Sequence, residues 1–139
     1  MTKLYVAPKA FVEHEGKVLV LRESKRYLDA TQVGKYDVPG GRMESSEQVE
    51  EALIREVQEE TGLAVYIEKV FAVHEWNPVI RGEQAHVVGI FFICNAGSKD
   101  VRLSDDHDDY KWIDPDLYET EDVIENLDKP FQTYLALRK

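Results

Sequence analysis

Apolar and polar positions follow two rhythms along this chain, and each change of rhythm marks an element. Leu4 to Val12 and Val18 to Leu21 are apolar-rich runs on either side of Glu13-His14-Glu15-Gly16-Lys17. They predict two strands joined by a glycine-containing hairpin turn. Residues 22–35 are polar and irregular and predict a long loop, and Pro39, Gly40 and Gly41 then punctuate the entry to the next element. From there the period lengthens: Val49, Leu53 and Val57 recur every fourth residue, with Ala52 on the same stripe. That spacing predicts an amphipathic helix from Ser46 to Thr61, opened by a Ser45–Gln48 capping box and stopped by Gly62 in a left-handed conformation. Strand-like runs follow over 63–75, 85–95 and 110–113. A final helical segment over 130–137 places Phe131, Tyr134 and Leu135 on one face. Strands, helix, strands, helix is the order of an α/β fold in which helices pack on a mixed sheet. With 139 residues, the chain is expected to form one domain over 1–139.

Composition narrows the function. A hydrophobic content of 43% is enough for a packed core without staples. No apolar stretch approaches the roughly 18 residues of a membrane span, so no membrane partner is expected. No secretory leader is visible at the N-terminus. Cys94, the one cysteine, lies in an apolar run and reads as a small buried hydrophobe. A cytoplasmic location is the expectation. The formal net charge of −10, with no cluster of Lys or Arg, argues against a nucleic-acid polymer as partner. Acidic side chains cannot hold a phosphate compound directly either. Divalent cations would have to stand between them.

The helix gives that idea a location. Glu56, Glu59 and Glu60 stand at i, i+3 and i+4, so their carboxylates share one side. Each like-charged pair at this spacing costs about 0.2–0.5 kcal/mol in an isolated helix. The helix dipole adds to the cost near the C-terminal end. A hard cation with oxygen ligands reverses the penalty, and Mg²⁺ suits carboxylates plus substrate phosphate. The bland alternative for three glutamates alone is a solvated acidic face.

The surrounding residues decide between the two. Gly41, five residues, Glu47, seven residues, Arg55-Glu56-Val57, Gln58, Glu59-Glu60, Thr61 and Gly62-Leu63 fill every specified position of G-x5-E-x7-R-E-U-x-E-E-x-G-U, U being bulky and aliphatic. A chance match is on the order of 10⁻⁸ at average residue frequencies. The segment resembles the Nudix box, and the chain is identified as a member of the Nudix hydrolase family, of the MutT-like kind. The resemblance implies an α/β/α sandwich around a mixed sheet. It also implies a Mg²⁺-dependent pyrophosphohydrolase, with Mn²⁺ able to replace Mg²⁺, acting on a small-molecule nucleotide. By similarity Gly41, through its carbonyl, and Glu56, Glu59 and Glu60 hold metal. Arg55 and Glu47 orient the catalytic carboxylates. A guanidinium beside several carboxylates is also expected to keep them ionised. The base that activates water is Glu59 or Glu60, or else belongs to the acidic loop Asp105-Asp106-His107-Asp108-Asp109. That loop resembles the acidic-His segment before a Trp strand in the family, and it also reads as a solvated turn. Many family members are homodimers, so a homodimer is expected by resemblance.

Substrate choice lies outside the box. The implied substrate is a nucleoside diphosphate linked to another moiety: a nucleoside triphosphate, an oxidised nucleotide or an ADP-ribose-type nucleotide sugar. Pro78 is close to the proline that marks an ADP-ribose subgroup, although a turn proline is the ordinary reading. The compact length looks more like enzymes acting on triphosphates. Tyr36 and Trp76 are candidates to stack on a base, or simply to pack, and Arg22 and Arg81 to pair with phosphates. The spacings of His14, His74, His86 and His107 are not those of a zinc site, and the acidic loop lacks the EF-hand pattern. Two other functions fit the fold. One is a catalytically silent nucleotide-sensing Nudix-fold module, against which the intact box argues. The other is an isoprenoid diphosphate isomerase, which Cys94 supports little.

Overall fold

A computed structural model describes residues 2–138. Its strands are β1 (Lys3–His14), β2 (Lys17–Glu23), β3 (Tyr36–Asp37), β4 (Val65–Trp76), β5 (Val79–Ile80), β6 (Glu83–Ala96) and β7 (His107–Ile113). Its helices are α1 (Val49–Thr61) and α2 (Asp128–Leu137), with 3-10 turns at Pro115–Thr120 and Glu125–Leu127. The main path of the sheet runs β3-β2-β1-β6-β4, with β7 on β2 and β5 on β6. Its centre is parallel: β1 lies beside β6 from Lys3↔Ala85 to Glu13↔Asn95. The other pairs are antiparallel, so the sheet is mixed as expected.

Period-two alternation sends side chains to two separate cores. Phe11, Val18, Val20, Phe91 and Ile93 pack on one face with Phe131 and Tyr134 of α2. Ala10, Val12, Leu19, Leu21, Phe92 and Cys94 pack on the other with Leu53 and Val57 of α1. The result is an α/β/α sandwich. Phe11 anchors the α2 side, its ring 4.7 Å from Phe131 and 5.1 Å from Tyr134 between centroids.

Some boundaries differ from the sequence expectation. Helix α1 begins at Val49, three residues later than expected, and its capping box uses Gln48 and Glu51. The Gln48 N–H donates to Glu51 at 2.9 Å. Ser45 and Ser46 lie in a turn, because the Glu47 carboxylate is drawn to the Glu44 N–H and to Arg55 instead. Gly62 stops the helix as expected, at φ 73°. Arg22 and Glu23 belong to β2, which shortens the loop to residues 24–35. Strands β3 and β5 are too short to show a period and were not expected.

Candidate active site

Strands β1 and β2 pair only beside their turn, at Glu13↔Val18 and His14↔Lys17. Beyond that they diverge, and the segment after β3 enters the opening. The Ala10 N–H donates to the Pro39 carbonyl at 2.8 Å, Lys9 and Gly40 form an isolated bridge, and the Met43 N–H donates to the Val6 carbonyl at 2.9 Å. Glycine permits close approach here, and at position 40 nothing larger fits. A Cβ on Gly40, whose φ is +134°, would lie 2.3 Å from the Pro8 carbonyl oxygen. One on Gly41 would lie 2.8 Å from a Glu56 carboxylate oxygen.

The polar face of α1 is organised by Arg55. Its Nε and one terminal nitrogen donate to the two oxygens of Glu47 at 2.6 and 2.9 Å, a bidentate clamp. The other terminal nitrogen reaches Glu56 at 3.1 Å and Glu59 at 3.2 Å. The Arg55 hydrogen bonds, helped by the Glu44 N–H, hold the Glu47 carboxyl down at about 2. For Glu56 and Glu60 the expected lowering is overturned. Burial pushes Glu56 up despite Arg55. Burial also lifts Glu60 to about 8, against the opposing pull of Lys9 and of the Gly40 N–H, which donates to it at 2.8 Å. Two carboxyl groups are thus held where ionisation is costly without an added cation. Together with the Gly41 backbone they form a hard oxygen donor set, which fits Mg²⁺ or Mn²⁺. Glu56 and Glu59 turn toward Arg55. Among the described residues, no three carboxylate or imidazole groups already form a metal-binding cluster.

Beside this set lies a cavity of about 140 Å³. Lys9, Asp37, Gly40, Gly41 and Glu60 line one part of it, and Tyr27, Trp76, Pro78 and Ile80 another. Trp76 is therefore on the cleft wall, where Gly89 makes room for its ring: a Cβ at Gly89 would lie 2.7 Å from the indole. Tyr36 is not on that wall. It is 4% exposed in the α2-side core and its hydroxyl donates to Asp109, because strand β3 pairs with Leu21 and Arg22 of β2. Arg22 donates to Asp108 at 2.7 Å and lines a neighbouring cavity. Arg81 is largely exposed, 3.9 Å from Asp29, and lines a separate recess with Arg42.

The acidic loop divides by role. Asp108 and Asp109 are committed to Arg22 and Tyr36, whereas Asp106 and His107 line the cavity. Burial pushes the Asp106 carboxyl up, with Asp105, Asp29 and Glu59 adding to it. Burial, assisted by Lys9, lowers His107 to about 4, so its ring is neutral, and its buried Nδ1 has no hydrogen-bond partner among the described residues. Sequence reasoning missed Lys9, Asp37 and the Asp29–Arg42 pair. A lone lysine inside the apolar run Ala7-Pro8-Lys9-Ala10-Phe11 was the one available signal.

Comparison with known proteins bears on the family of the chain. The NUDIX domain family profile matches residues 6–134. An ADP-ribose pyrophosphatase of Methanocaldococcus jannaschii is 29% identical over 109 residues, which cover 78% of this chain and 61% of the relative. The nucleoside triphosphatase NudI of Klebsiella pneumoniae is 32% identical over 92 residues, covering 58% of this chain and 62% of the relative. The matches thus span less than two thirds of either curated relative. The crystal structure of a MutT protein from Methanosarcina mazei Go1 superposes with a TM-score of 0.84 at 26% identity, over 99% of this chain and 97% of that one. With its box intact, its glycine turn seated in the split sheet and the profile matched over nearly its whole length, this chain belongs to the NUDIX domain family.

Proposed function

We propose that residues 1–139 form one Nudix hydrolase domain that cleaves a phosphoanhydride bond in a nucleoside diphosphate joined to another moiety. The observation that carries this is the carboxylate set Glu56, Glu59 and Glu60 on α1, with Glu56 and Glu59 bonded by Arg55 and with Glu56 and Glu60 against the Gly40–Gly41 turn. The named relatives act on ADP-ribose and on nucleoside triphosphates, and either substrate class satisfies the reading. Mg²⁺, or Mn²⁺ in its place, would be held by the Gly41 carbonyl, Glu56, Glu59 and Glu60. When bound, it supplies positive charge against the diphosphate oxygens and makes water more acidic.

The chain's own residues do the rest. Glu47 fixes the Arg55 guanidinium, and Arg55 in turn fixes the rotamers of Glu56 and Glu59. Glu59, Glu60 and Asp106 are the carboxylates available to take the proton of the attacking water. Gln or Asn variants at the three positions separate them. Trp76 offers an aromatic wall to the rest of the nucleotide. A cytoplasmic location and a homodimer complete the proposal. The buried free thiol of Cys94 suits a reducing compartment, and light scattering on the purified protein tests the dimer.

The test is release of phosphate or pyrophosphate from a panel of nucleoside triphosphates and nucleotide sugars with added Mg²⁺. Turnover should vanish with chelator and collapse in Glu59→Gln or Glu60→Gln. Full activity in both single variants would remove the catalytic assignment. Tight nucleotide binding without turnover would favour the catalytically silent sensing module.

A further inference from the structure

The cavity is lined by five acidic side chains, Glu23, Asp29, Asp37, Glu60 and Asp106, and by two permanent cations, Lys9 and Arg42. Arg42 is partly exposed, so water can meet the donors that the protein leaves free. Its guanidinium bonds Asp29 and lies 4.6 Å over the Tyr5 ring. Lys9 is different. It is 7% exposed, and its ammonium makes one hydrogen bond among the described residues, to Asp37 at 2.9 Å.

An ammonium has three N–H donors. Two of them are therefore without a protein acceptor at a buried position, where an unmet charged donor is costly. The group cannot relieve this by losing its proton. Burial disfavours its charge, but the Asp37 carboxylate, in direct contact at 2.9 Å, holds it protonated. Nor is the side chain free to turn to water. Asp37 is fixed on both oxygens, one accepting the Val38 N–H at 2.7 Å and the other accepting from Lys9. The Lys9 backbone is bridged to Gly40. The ammonium is thus held in register with the glycine turn and with Glu60, on the cavity wall, with donors to spare. What fits such donors is an anionic oxygen brought in from outside.

We propose that Lys9 binds substrate, its two unspent donors taking a non-bridging phosphate oxygen while Asp37 holds the third. This deepens the function proposed above by naming the protein group that grips the diphosphate, and it rests on that reading. Asp37 is on this view a positioning residue, acting through Lys9.

The test is calorimetric titration of wild type, Lys9→Met and the double variant Lys9→Met/Asp37→Asn with inorganic pyrophosphate in Mg²⁺. A methylene-bridged nucleoside diphosphate serves as a second probe. Charge-assisted hydrogen bonds of this kind predict that both variants bind about ten- to a hundredfold more weakly. The double variant leaves no orphaned carboxylate, so it separates lost binding from lost folding. Wild-type affinity in a folded double variant overturns the proposal. A measurement on the unmutated protein stands beside it: the Lys9 ammonium resonance, observed by ¹⁵N NMR, should shift on adding pyrophosphate, and an unmoved resonance also overturns the proposal. The nucleotide panel run on the same preparations keeps the two readings apart. Lys9-dependent pyrophosphate binding without nucleotide turnover removes the proposed hydrolase and leaves Lys9 standing. Turnover with undiminished binding in the Lys9 variants does the reverse.

Discussion

Replacing Gly41 with alanine should damage chemistry while leaving the fold intact, whereas replacing Gly40 should destabilise the fold itself. An alanine Cβ at position 41 would sit 2.8 Å from one Glu56 oxygen and 3.1 Å from the other. The Glu56 carboxylate would have to retreat by roughly half an ångström to reach ordinary van der Waals separation. It can, being the far end of a flexible side chain. The backbone at 41 needs no left-handed conformation, so stability should hold or rise by about 0.4–1 kcal/mol through the unfolded state. Misplacing a reacting group by 1 Å costs about a hundredfold, which sets the expected loss in kcat at about ten- to a hundredfold. Position 40 contrasts on every count. Its φ is +134°, and its Cβ would meet the Pro8 carbonyl oxygen at 2.3 Å and the Lys9 Cα at 2.8 Å, neither of which can give way. Strain and overpacking together should cost about 2–5 kcal/mol. Urea denaturation followed by tryptophan fluorescence reads the stabilities, and pyrophosphate release reads the rates. Wild-type turnover in Gly41→Ala, or a stability loss matching that of Gly40→Ala, would refute the placement of Glu56 against a catalytic turn.

Three further outcomes follow from the same geometry. Glu60 has its carboxyl raised from 4.5 to about 8 in the folded, metal-free protein. Between those values the folded state keeps a proton that the unfolded chain has released, so stability in chelator should fall as pH rises through the window. Glu60→Gln should flatten that slope in thermal melts, and an unchanged slope would mean that another group causes it. Arg55→Lys removes the fork that holds both Glu47 oxygens. Turnover should drop by about tenfold or more, with stability changed by no more than about 1 kcal/mol, because lysine cannot reproduce a bidentate contact. Tyr36→Phe deletes the hydroxyl that donates to Asp109. Denaturation should show a loss of about 1 kcal/mol. Unchanged stability would refute the contribution of the Tyr36–Asp109 hydrogen bond.

The box helix could be read from the chain because its information is local: a four-residue apolar period, a glycine stop and fixed spacings between charged residues. The start of α1 was misread for an equally local reason. Ser45 to Gln48 has the letters of a capping box, but Glu47 is claimed by Arg55 eight residues on, and the true cap moves to Gln48 and Glu51. Where Tyr36 and Arg22 lie was not legible, because their surroundings are set by strand pairing: Tyr36 packs in the α2-side core and Arg22 lines the neighbouring cavity. Strand β3 pairs with β2, and that pairing decides which of their neighbours faces the cavity. Lys9 stands out in the sequence only as a lone lysine in an apolar run, and its place beside the cavity is hidden for the strongest form of the same reason. Its partner Asp37 lies 28 residues away. The two meet only because β1 and β2 separate and admit the 39–43 segment, an event that no window of sequence describes.

The parallel pairing of β1 with β6 bears on when the metal affinity proposed above would arise. The paired stretches of the two central strands begin 82 residues apart, at Lys3 and Ala85, and long-range pairing of this kind forms slowly because loop closure must precede contact. Helix α1 lies between them in the chain and can form early from local contacts alone. In that interval Glu56 and Glu60 are ordinary solvated carboxylates, with no cavity, no glycine turn and no Lys9 beside them. Only when the sheet closes does burial raise their demand for a cation. Avid metal binding should therefore appear late in refolding, as a reporter of sheet closure more than of helix formation.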